Sequence, residues 1–173
     1  MTVARYRIDP SRSRVQISAR SNVHPIETET DGLEGFVELD VQDGGRVDLA
    51  AKPKAHLELP VDQLRSNNRL EDRELKRRLD ARRYPTISGD LTDMKQVDGD
   101  GSYTVRGNLT FHGVTQSHED TMNITAPDER TVRLEGESTF DIRDFGMDPP
   151  RILMLKVEPV VTVRVSIVAE KES

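Results

Sequence analysis

Four histidines, His24, His56, His112 and His118, are the side chains of this sequence best suited to metal ligation and proton transfer. His112 and His118 flank a predicted turn and could face each other across a hairpin. A zinc site needs roughly three or four ligands. The sequence contains no cysteine and neither the His-x-His nor the His-Glu-x-x-His spacing. We therefore expect no metal centre, and we expect His112 to be a turn residue that hydrogen-bonds the backbone or a bound molecule.

Other catalytic arrangements lack a sequence signal. A nucleophilic serine needs a positioned base and an oxyanion site, and the chain shows no G-x-S-x-G elbow or glycine-rich phosphate loop. No pair of carboxylates is distinguished by its spacing. Arg143 and Asp144, beside Phe145-Gly146, could offer a donor and an acceptor near the end of a strand, or could form only a surface ion pair. The sequence therefore gives no reason to propose catalysis.

The composition is that of one strongly polar domain covering residues 1–173. Apolar residues make up 34% and charged residues 32% of the chain, whereas soluble domains usually contain about 45–50% apolar residues. The interior must therefore be small or partly hollow. A net charge of −6 argues against a general nucleic-acid binder. Charged residues at Arg5, Arg7 and Asp9 occupy the positions where a signal peptide would be apolar, so we expect a cytoplasmic protein.

Alternation of apolar and polar residues dominates the chain and predicts half-buried β-strands. It is clearest over residues 15–19, 36–41, 103–111 and 161–167, with turn signals between strands at positions such as 98–101 and His112-Gly113. The pattern predicts an all-β meander of about eight antiparallel strands. Because closure removes exposed strand edges, we expect a closed barrel, with a sandwich as the alternative.

One segment, about residues 67–82, predicts an α-helix inserted into this β-structure. Ser66-Asn67-Asn68 offers a helix cap, and Pro85 disfavours helical geometry at Tyr84. The leucines of this segment are spaced by five and four residues, at Leu70, Leu75 and Leu79.

The helical segment is also basic, with eight basic and four acidic side chains over residues 65–83. It could be solvated surface, supported by the pairs Asp72–Lys76 and Glu74–Arg78. It could instead contact an anionic membrane. Nucleic acid is disfavoured, because no aromatic residues are interleaved for stacking.

The interior of the barrel admits two interpretations. The chain has three Tyr, four Phe and no Trp, so inward positions are mostly medium-sized aliphatic side chains. These residues could line a cavity for an apolar ligand or could close on each other as a dry core, and composition leaves both open. The candidate cavity-lining residues are Val105, Leu109, Phe111, His112, Met122, Ile124, Phe140, Ile142 and Phe145. The apolar run Ile152–Leu155 could be a flap at the opening, a buried strand or a subunit contact.

Four blocks of sequence carry a resemblance to a known family. They lie at residues 6–15, at 68–75 together with 79–87, at 106–115 and at 140–147. The most specific is residues 107–115, GNLTFHGVT, which is close to a G-x-L-T-x-x-G-V-T hairpin. With these blocks the chain resembles the YceI-like family, lipocalin-like barrels associated with the binding of polyisoprenoid lipids. Members often carry a His in the opening block, where this chain has Arg12.

The resemblance implies a lipocalin-like barrel that sequesters or carries a hydrophobic small molecule, an isoprenoid-like or fatty-acid-like lipid, without turnover and without another cofactor. Two alternatives remain at this point. The first is a filled barrel that acts as a protein-interaction or scaffold homodimer. The second is an enzyme that acts on a lipid-like substrate.

Overall fold

Alternating apolar and polar residues form eleven strands in the computed structural model, which describes residues 2–97, 101–149 and 151–172. The strands are β1 (Ala4–Ile8), β2 (Arg14–Ser21), β3 (Ile26–Thr30), β4 (Glu34–Leu39), β5 (Lys54–Pro60), β6 (Thr86–Gln96), β7 (Ser102–Phe111), β8 (Val114–Thr125), β9 (Thr131–Asp141), β10 (Arg151–Ile152) and β11 (Leu155–Lys171). One α-helix, α1 (Arg69–Arg78), follows β5. Residues 98–100 of the predicted turn at 98–101 lie outside the described ranges.

Eight strands close into a barrel in the order β1-β4-β5-β6-β7-β8-β9-β11. The end of β11 pairs with β1, where Tyr6 faces Lys171, and this pairing completes the ring. All of these pairs are antiparallel. The earlier part of β11 pairs with β2, which carries β3 on its other side. The closed antiparallel barrel is thus confirmed, and the sandwich alternative is wrong.

The β7–β8 turn shows why the most specific block has its sequence. His112 and Gly113 both have positive φ, 53° and 76°, as the two central residues of a type I′ hairpin require. On either side of the turn, Thr110 and Thr115 share a hydroxyl–hydroxyl hydrogen bond of 2.8 Å. The turn therefore sets the register of two long strands.

Helix α1 begins where the sequence predicts a cap and ends earlier than predicted. The side chain of Asn68 accepts hydrogen bonds from the backbone N–H groups of Leu70 and Glu71, at 3.0 and 3.2 Å. The helix ends at Arg78 rather than near residue 82, because Asp80 adopts a left-handed conformation with φ of 52°. The chain has therefore turned before it reaches Pro85.

The two helical ion pairs predicted from spacing have different outcomes. Glu74 contacts Arg78 at 3.1 Å, as predicted, and also Arg77 at 2.7 Å. Asp72 instead accepts hydrogen bonds from the backbone N–H and the hydroxyl of Ser66, at 2.7 and 2.6 Å. The predicted Asp72–Lys76 pair is therefore wrong, because Asp72 ties down the segment that leads into the helix.

One end of the barrel is solid. Tyr103 is completely buried there, and its hydroxyl accepts a hydrogen bond of 3.0 Å from the backbone N–H of Val47. The other side chains packed at this end are Tyr6, Ile8, Leu39, Ile124, Val132 and Ala169, each at most 4% exposed. Both terminal strands meet at this end, so closure of the ring and close packing occur together.

The run Ile152–Leu155 forms a tight hairpin between β10 and β11. Ile152 and Leu155 are buried, whereas Leu153 and Met154 are exposed at its tip. Of the alternatives predicted for this run, the buried strand is correct for Ile152 and Leu155 and wrong for the two residues between them. Within the described ranges, no helix is long and apolar enough to cross a membrane.

Candidate ligand-binding site

The half of the barrel away from the solid end is hollow and encloses a cavity of about 400 Å³. This volume lies in the range of small-molecule sites, which is about 300–1,000 Å³. Along β11 the lining runs from Val157 to Ile167. Ten residue steps of about 3.3 Å each correspond to roughly 33 Å before strand tilt is considered. The lining therefore extends along a large part of β11.

Most of the residues predicted to line a cavity do surround this one. Seven of the nine are in its wall: Val105, Leu109, Phe111, Met122, Phe140, Ile142 and Phe145. Those on β7 share one parity and those on β8 and β9 share the other, as their cross-strand pairing requires. Their contact with a ligand stays a prediction.

Two of the predicted residues lie elsewhere. Ile124 faces inward from β8 but is only 2% exposed in the solid end, one inward position beyond Met122. His112 occupies the β7–β8 turn, and its ring lies against Tyr84 with the ring centroids 4.7 Å apart. Alternation predicts that a residue lies on the inner face of its strand. It does not show where along the barrel the closely packed end stops and the cavity begins.

Glycines at inward positions are one physical cause of the hollow. Gly89 on β6, Gly107 on β7 and Gly136 on β9 all line the cavity, and none supplies a side chain to fill it. The nearest atoms to a Cβ built on Gly89 would be 3.9 Å away, so that position opens onto free space. A Cβ on Gly107 would lie only 2.7 Å from the carbonyl oxygen of Asp90, so that glycine is required by the close approach of β6.

The helix also contributes to the wall, which the sequence analysis did not foresee. Leu75 of α1 and Leu79, the residue directly after the helix, line the cavity. Leu70 is 63% exposed, because five residues along a helix turn the side chain about 140° away. Other inward aliphatic residues not named as candidates are Ile17, Leu57, Leu91, Val161, Val163 and Val165. Their strand alternation was the signal that could have identified them.

One polar cluster interrupts the apolar wall. His118 on β8 lies with its Nε2 2.6 Å from Oδ2 of Asp120 and 3.1 Å from the hydroxyl of Ser138 on β9. Its ring is stacked on Phe140, with centroids 4.2 Å apart. His118 is paired with Gly107, so it does not face His112 across the hairpin. The three polar side chains form a small hydrogen-bonded group on an otherwise aliphatic surface.

This group does not have the geometry of a serine-hydrolase triad. Such a relay uses opposite nitrogens of the imidazole, one for the serine and one for the carboxylate. Here a single nitrogen of His118 contacts both Asp120 and Ser138. Because a carboxylate only accepts hydrogen bonds, Nε2 carries the hydrogen and cannot take a proton from the Ser138 hydroxyl.

The remaining histidines are outside the cavity. His56 lies between Glu58 and Asp90, at 2.9 and 2.6 Å, and the hydrogen bonds to Glu58 and then Asp90 raise the pKa of its imidazole. His24 is 3.9 Å from Glu71. In the part of the chain that the structure describes, no group of three or more His, Asp or Glu side chains has an arrangement that could hold a metal ion.

Arg12, at the position where family members often carry a His, has a structural role at the barrel surface. It forms ion pairs with Asp9, at 2.8 Å, and with Glu170 on β11. Hydrogen bonds from Ser11 and then Arg12 lower the pKa of Asp9 to about 2. Arg12 does not line the cavity, so this departure does not change the cavity wall.

Three of the four blocks of the resemblance, at residues 79–87, 106–115 and 140–147, contact each other in space. A Cβ on Gly113 would lie 2.7 Å from Cε1 of Tyr84, which shows how closely the Tyr-Pro segment packs on the β7–β8 turn. Phe111 and Phe145 meet edge to face, with ring centroids 5.7 Å apart. Arg143 pairs with Asp141 at 2.6 Å and not with Asp144, so it braces the turn that carries Phe145.

Solved structures share this fold. BcnA of Burkholderia cenocepacia superposes with a TM-score of 0.78 at 17% identity, covering 94% of this chain and 99% of that one. A polyisoprenoid-binding domain of Saccharophagus degradans, implicated in plant cell wall breakdown, gives 0.78 at 13% identity, covering 99% and 100%. The YceI protein of Campylobacter jejuni gives 0.68 at 13% identity, covering 86% of each chain.

No curated protein matches this sequence at a significant level. The family model of the YceI-like domain, however, matches residues 6–169, nearly the whole length of the barrel. With the closed sheet, the single helix and the four blocks in their expected places, the chain belongs to the YceI-like domain family.

Proposed function

We propose that this protein binds and carries a hydrophobic small molecule with an extended, isoprenoid-like tail, and that it does not turn the molecule over. The main support is the hollow half of the barrel. It is lined along β11 from Val157 to Ile167, mostly by aliphatic side chains. Each methylene of a tail moved from water into such a wall contributes about 0.8 kcal/mol. The name of the Saccharophagus degradans domain, polyisoprenoid binding, supports the same class of ligand.

Two alternatives fit the structure less well. A wholly filled barrel acting only in protein interaction does not describe the half that contains the cavity. An enzyme on a lipid-like substrate would need an activated group in the wall, and the shared nitrogen of His118 argues against a serine nucleophile there. Carriage without chemistry is therefore the function that the geometry supports best.

Native mass spectrometry of the gently purified protein tests the proposal. We expect a co-purifying or added prenyl or fatty-acyl compound to be retained and recovered unchanged. Leu109→Arg, which places a charge among aliphatic neighbours, should abolish retention while circular dichroism still shows the β-fold. Bare protein that ignores added isoprenoids and fatty acids contradicts carriage, and recovery of an altered compound contradicts the absence of turnover. The same spectra report whether the protein is a homodimer, which stays a prediction.

We also propose that the end of the barrel formed by α1 and the β2–β3 and β10–β11 turns, here called the helix end, contacts anionic membranes. Exposed apolar side chains protrude there from three adjoining segments: Val23 at 70%, Leu70 at 63% and Met154 at 88% exposure. The β2–β3 turn is joined to strand β11 of the β10–β11 hairpin by a 3.1 Å hydrogen bond from the Asn22 N–H to the Lys156 carbonyl oxygen. His24, in the first of these turns, lies 3.9 Å from Glu71 of the helix.

The charge on this end complements an anionic surface. Glu74 engages Arg77 and Arg78, whereas Arg69 and Arg73 are exposed and form no ion pair with any residue that the structure describes. Each such basic group near an anionic bilayer contributes about 1 kcal/mol.

Sedimentation with phosphatidylserine vesicles at low salt tests this contact. The double substitution Arg69→Gln and Arg73→Gln should reduce binding by roughly tenfold or more. Arg77→Gln with Arg78→Gln should have a smaller effect, because Glu74 already neutralises part of their charge. The matched control is Lys95→Gln with Arg133→Gln, which removes two exposed charges near the solid end. Equal losses of vesicle binding in the helix variants and the control variant would contradict the proposed membrane contact.

A further inference from the structure

Strands β8 and β9 separate along part of the barrel wall. They pair only from Met122–Gly136 to Thr125–Arg133. Toward the hollow half, β8 extends back to Val114 and remains paired with β7. In the same direction β9 extends to Asp141 and remains paired with β11. Within the described residues no β8–β9 backbone pairing occurs there, so the wall contains a slot between the two strands.

The polar cluster bridges this slot. Extending the register from Met122 and Gly136 sets Asp120 opposite Ser138 and His118 opposite Phe140, all on the inner face. The 3.1 Å contact between His118 Nε2 and the Ser138 hydroxyl joins the separated strands. At the end of the slot, the Gln116 side chain donates a 2.9 Å hydrogen bond to the Asp144 carbonyl oxygen. Polar atoms thus meet the apolar cavity where this slot lies in its wall.

The cluster retains unused hydrogen-bonding capacity. His118 Nδ1 and Asp120 Oδ1 bond to no residue that the structure describes, and neither atom is fully buried. In the tautomer whose only hydrogen is on Nε2, the imidazole presents Nδ1 as an acceptor. Asp120 Oδ1 is also an acceptor. The Ser138 hydroxyl accepts from His118, so its own hydrogen is free to donate. A complementary group must therefore both donate and accept hydrogen bonds.

The charge of the cluster is unfavourable for an anion. The neighbouring outward acids are paired, Glu119 with Arg106 at 3.5 Å and Glu137 with Arg164 at 2.8 Å. Among the described residues Asp120 has no arginine or lysine partner. A phosphate or carboxylate in the slot would meet this carboxylate across an apolar surface, where like charges repel strongly.

From this geometry we infer that the slot holds the uncharged polar head of the ligand, a hydroxyl or primary amide, with the tail in the cavity. The head donates to His118 Nδ1 or Asp120 Oδ1 and accepts from the Ser138 hydroxyl. The inference rests on the proposed carrier function and narrows its ligand class to lipid alcohols and amides, as against prenyl phosphates and fatty acids.

Three probes with one tail test the head preference by isothermal titration calorimetry on the full chain: geranylgeraniol, its methyl ether and geranylgeranyl diphosphate. The ether accepts but cannot donate, so the alcohol should bind roughly three- to tenfold more tightly, the effect of one hydrogen bond. The diphosphate should bind at least about tenfold more weakly than the alcohol. In Asp120→Asn, the ratio of the affinity for the alcohol to the affinity for the diphosphate should fall by about threefold or more, because the substitution removes the repelling charge.

Glu119→Gln is the matched control, since it removes a neighbouring carboxylate on the outer face and should leave all three affinities unchanged. If Asp120→Asn does not fold, Ser138→Ala must narrow the same ratio by weakening the alcohol. A diphosphate that binds the wild-type protein as tightly as the alcohol overturns the inference, as does a ratio that no slot variant changes. Failure of all three probes to bind would instead contradict the carrier function.

Discussion

Gly89 and Leu109 are paired directly across β6 and β7, and both face the hollow half of the barrel. Leu109 Cδ1 lies 3.9 Å from the position that a Cβ on residue 89 would occupy. The Asn108 carbonyl oxygen is also 3.9 Å from that position, an ordinary contact distance, so a larger side chain at residue 89 would enter the cavity without a backbone clash.

This relationship makes Gly89→Leu a cavity-filling substitution. We expect the variant to keep the β-fold and to lose at least about 90% of its binding of a long-chain prenyl or acyl probe, because added methylenes occupy the space of the tail. Calorimetric titration with geranylgeraniol measures the loss. The control is Ser117→Leu, which adds the same side chain at an exposed position of β8 outside the cavity lining. Undiminished binding by a folded Gly89→Leu protein would place the ligand elsewhere.

Gly107 and Gly89 should respond differently to alanine. We expect Gly107→Ala to lower the free energy of unfolding by about 1–3 kcal/mol, because its Cβ would lie 2.7 Å from the Asp90 carbonyl oxygen. Gly89→Ala meets no such atom and should be neutral or stabilising by up to about 1 kcal/mol, since it restricts the unfolded chain. Urea unfolding of both variants gives the comparison, and equal effects would contradict the close approach of β6 to Gly107.

The hydrogen bond between Tyr103 and Val47 should stabilise the solid end. Tyr103→Phe removes the acceptor and leaves the buried N–H of Val47 without a partner. We expect a loss of about 1–3 kcal/mol in the free energy of unfolding. Urea denaturation checks this value, and ligand binding in the distant cavity should not change. Tyr84→Phe provides a control, because no hydrogen bond of the Tyr84 hydroxyl is formed with the described residues.

Asp9 gives the protein an acid-sensitive contact at the first loop. Hydrogen bonds from Ser11 and Arg12 lower the pKa of its carboxyl from 3.8 to about 2. A carboxyl whose pKa is lower in the folded state stabilises the fold above its unfolded pKa, and this contribution is lost as the pH falls toward 2. NMR titration should show the pKa of Asp9 moving upward in Ser11→Ala and in Arg12→Ala, and furthest in the double variant. A titration that neither substitution shifts would contradict these contacts as its cause.

Local rules identified much of the fold. Apolar–polar alternation located β2, β4, β7 and part of β11, His112-Gly113 formed the predicted turn, and Asn68 formed the predicted cap. These features depend on residues adjacent in the chain. The end of α1 was placed too late, because the left-handed conformation of Asp80 ends the helix before Pro85 can.

Side-chain partners were harder to predict than strands. Helical spacing suggested Lys76 for Asp72, whereas the tertiary structure brings Ser66 to that carboxylate. Likewise, the type of residue suggested His112 for the ligand, whereas the turn sets its ring against Tyr84. A polar side chain takes the nearest complementary atom in space, and spacing along the chain reports only some of those atoms.

By itself, the sequence determined which residues lie on the inner face of each strand, because side chains alternate with a period of two wherever the chain is extended. Only the tertiary structure decided that the Ile124 end is solid while the Leu109 end is hollow, and that β8 and β9 part beside His118. Filling and separation depend on the distances between strands from opposite sides of the ring, and those distances are set by closure of the whole sheet.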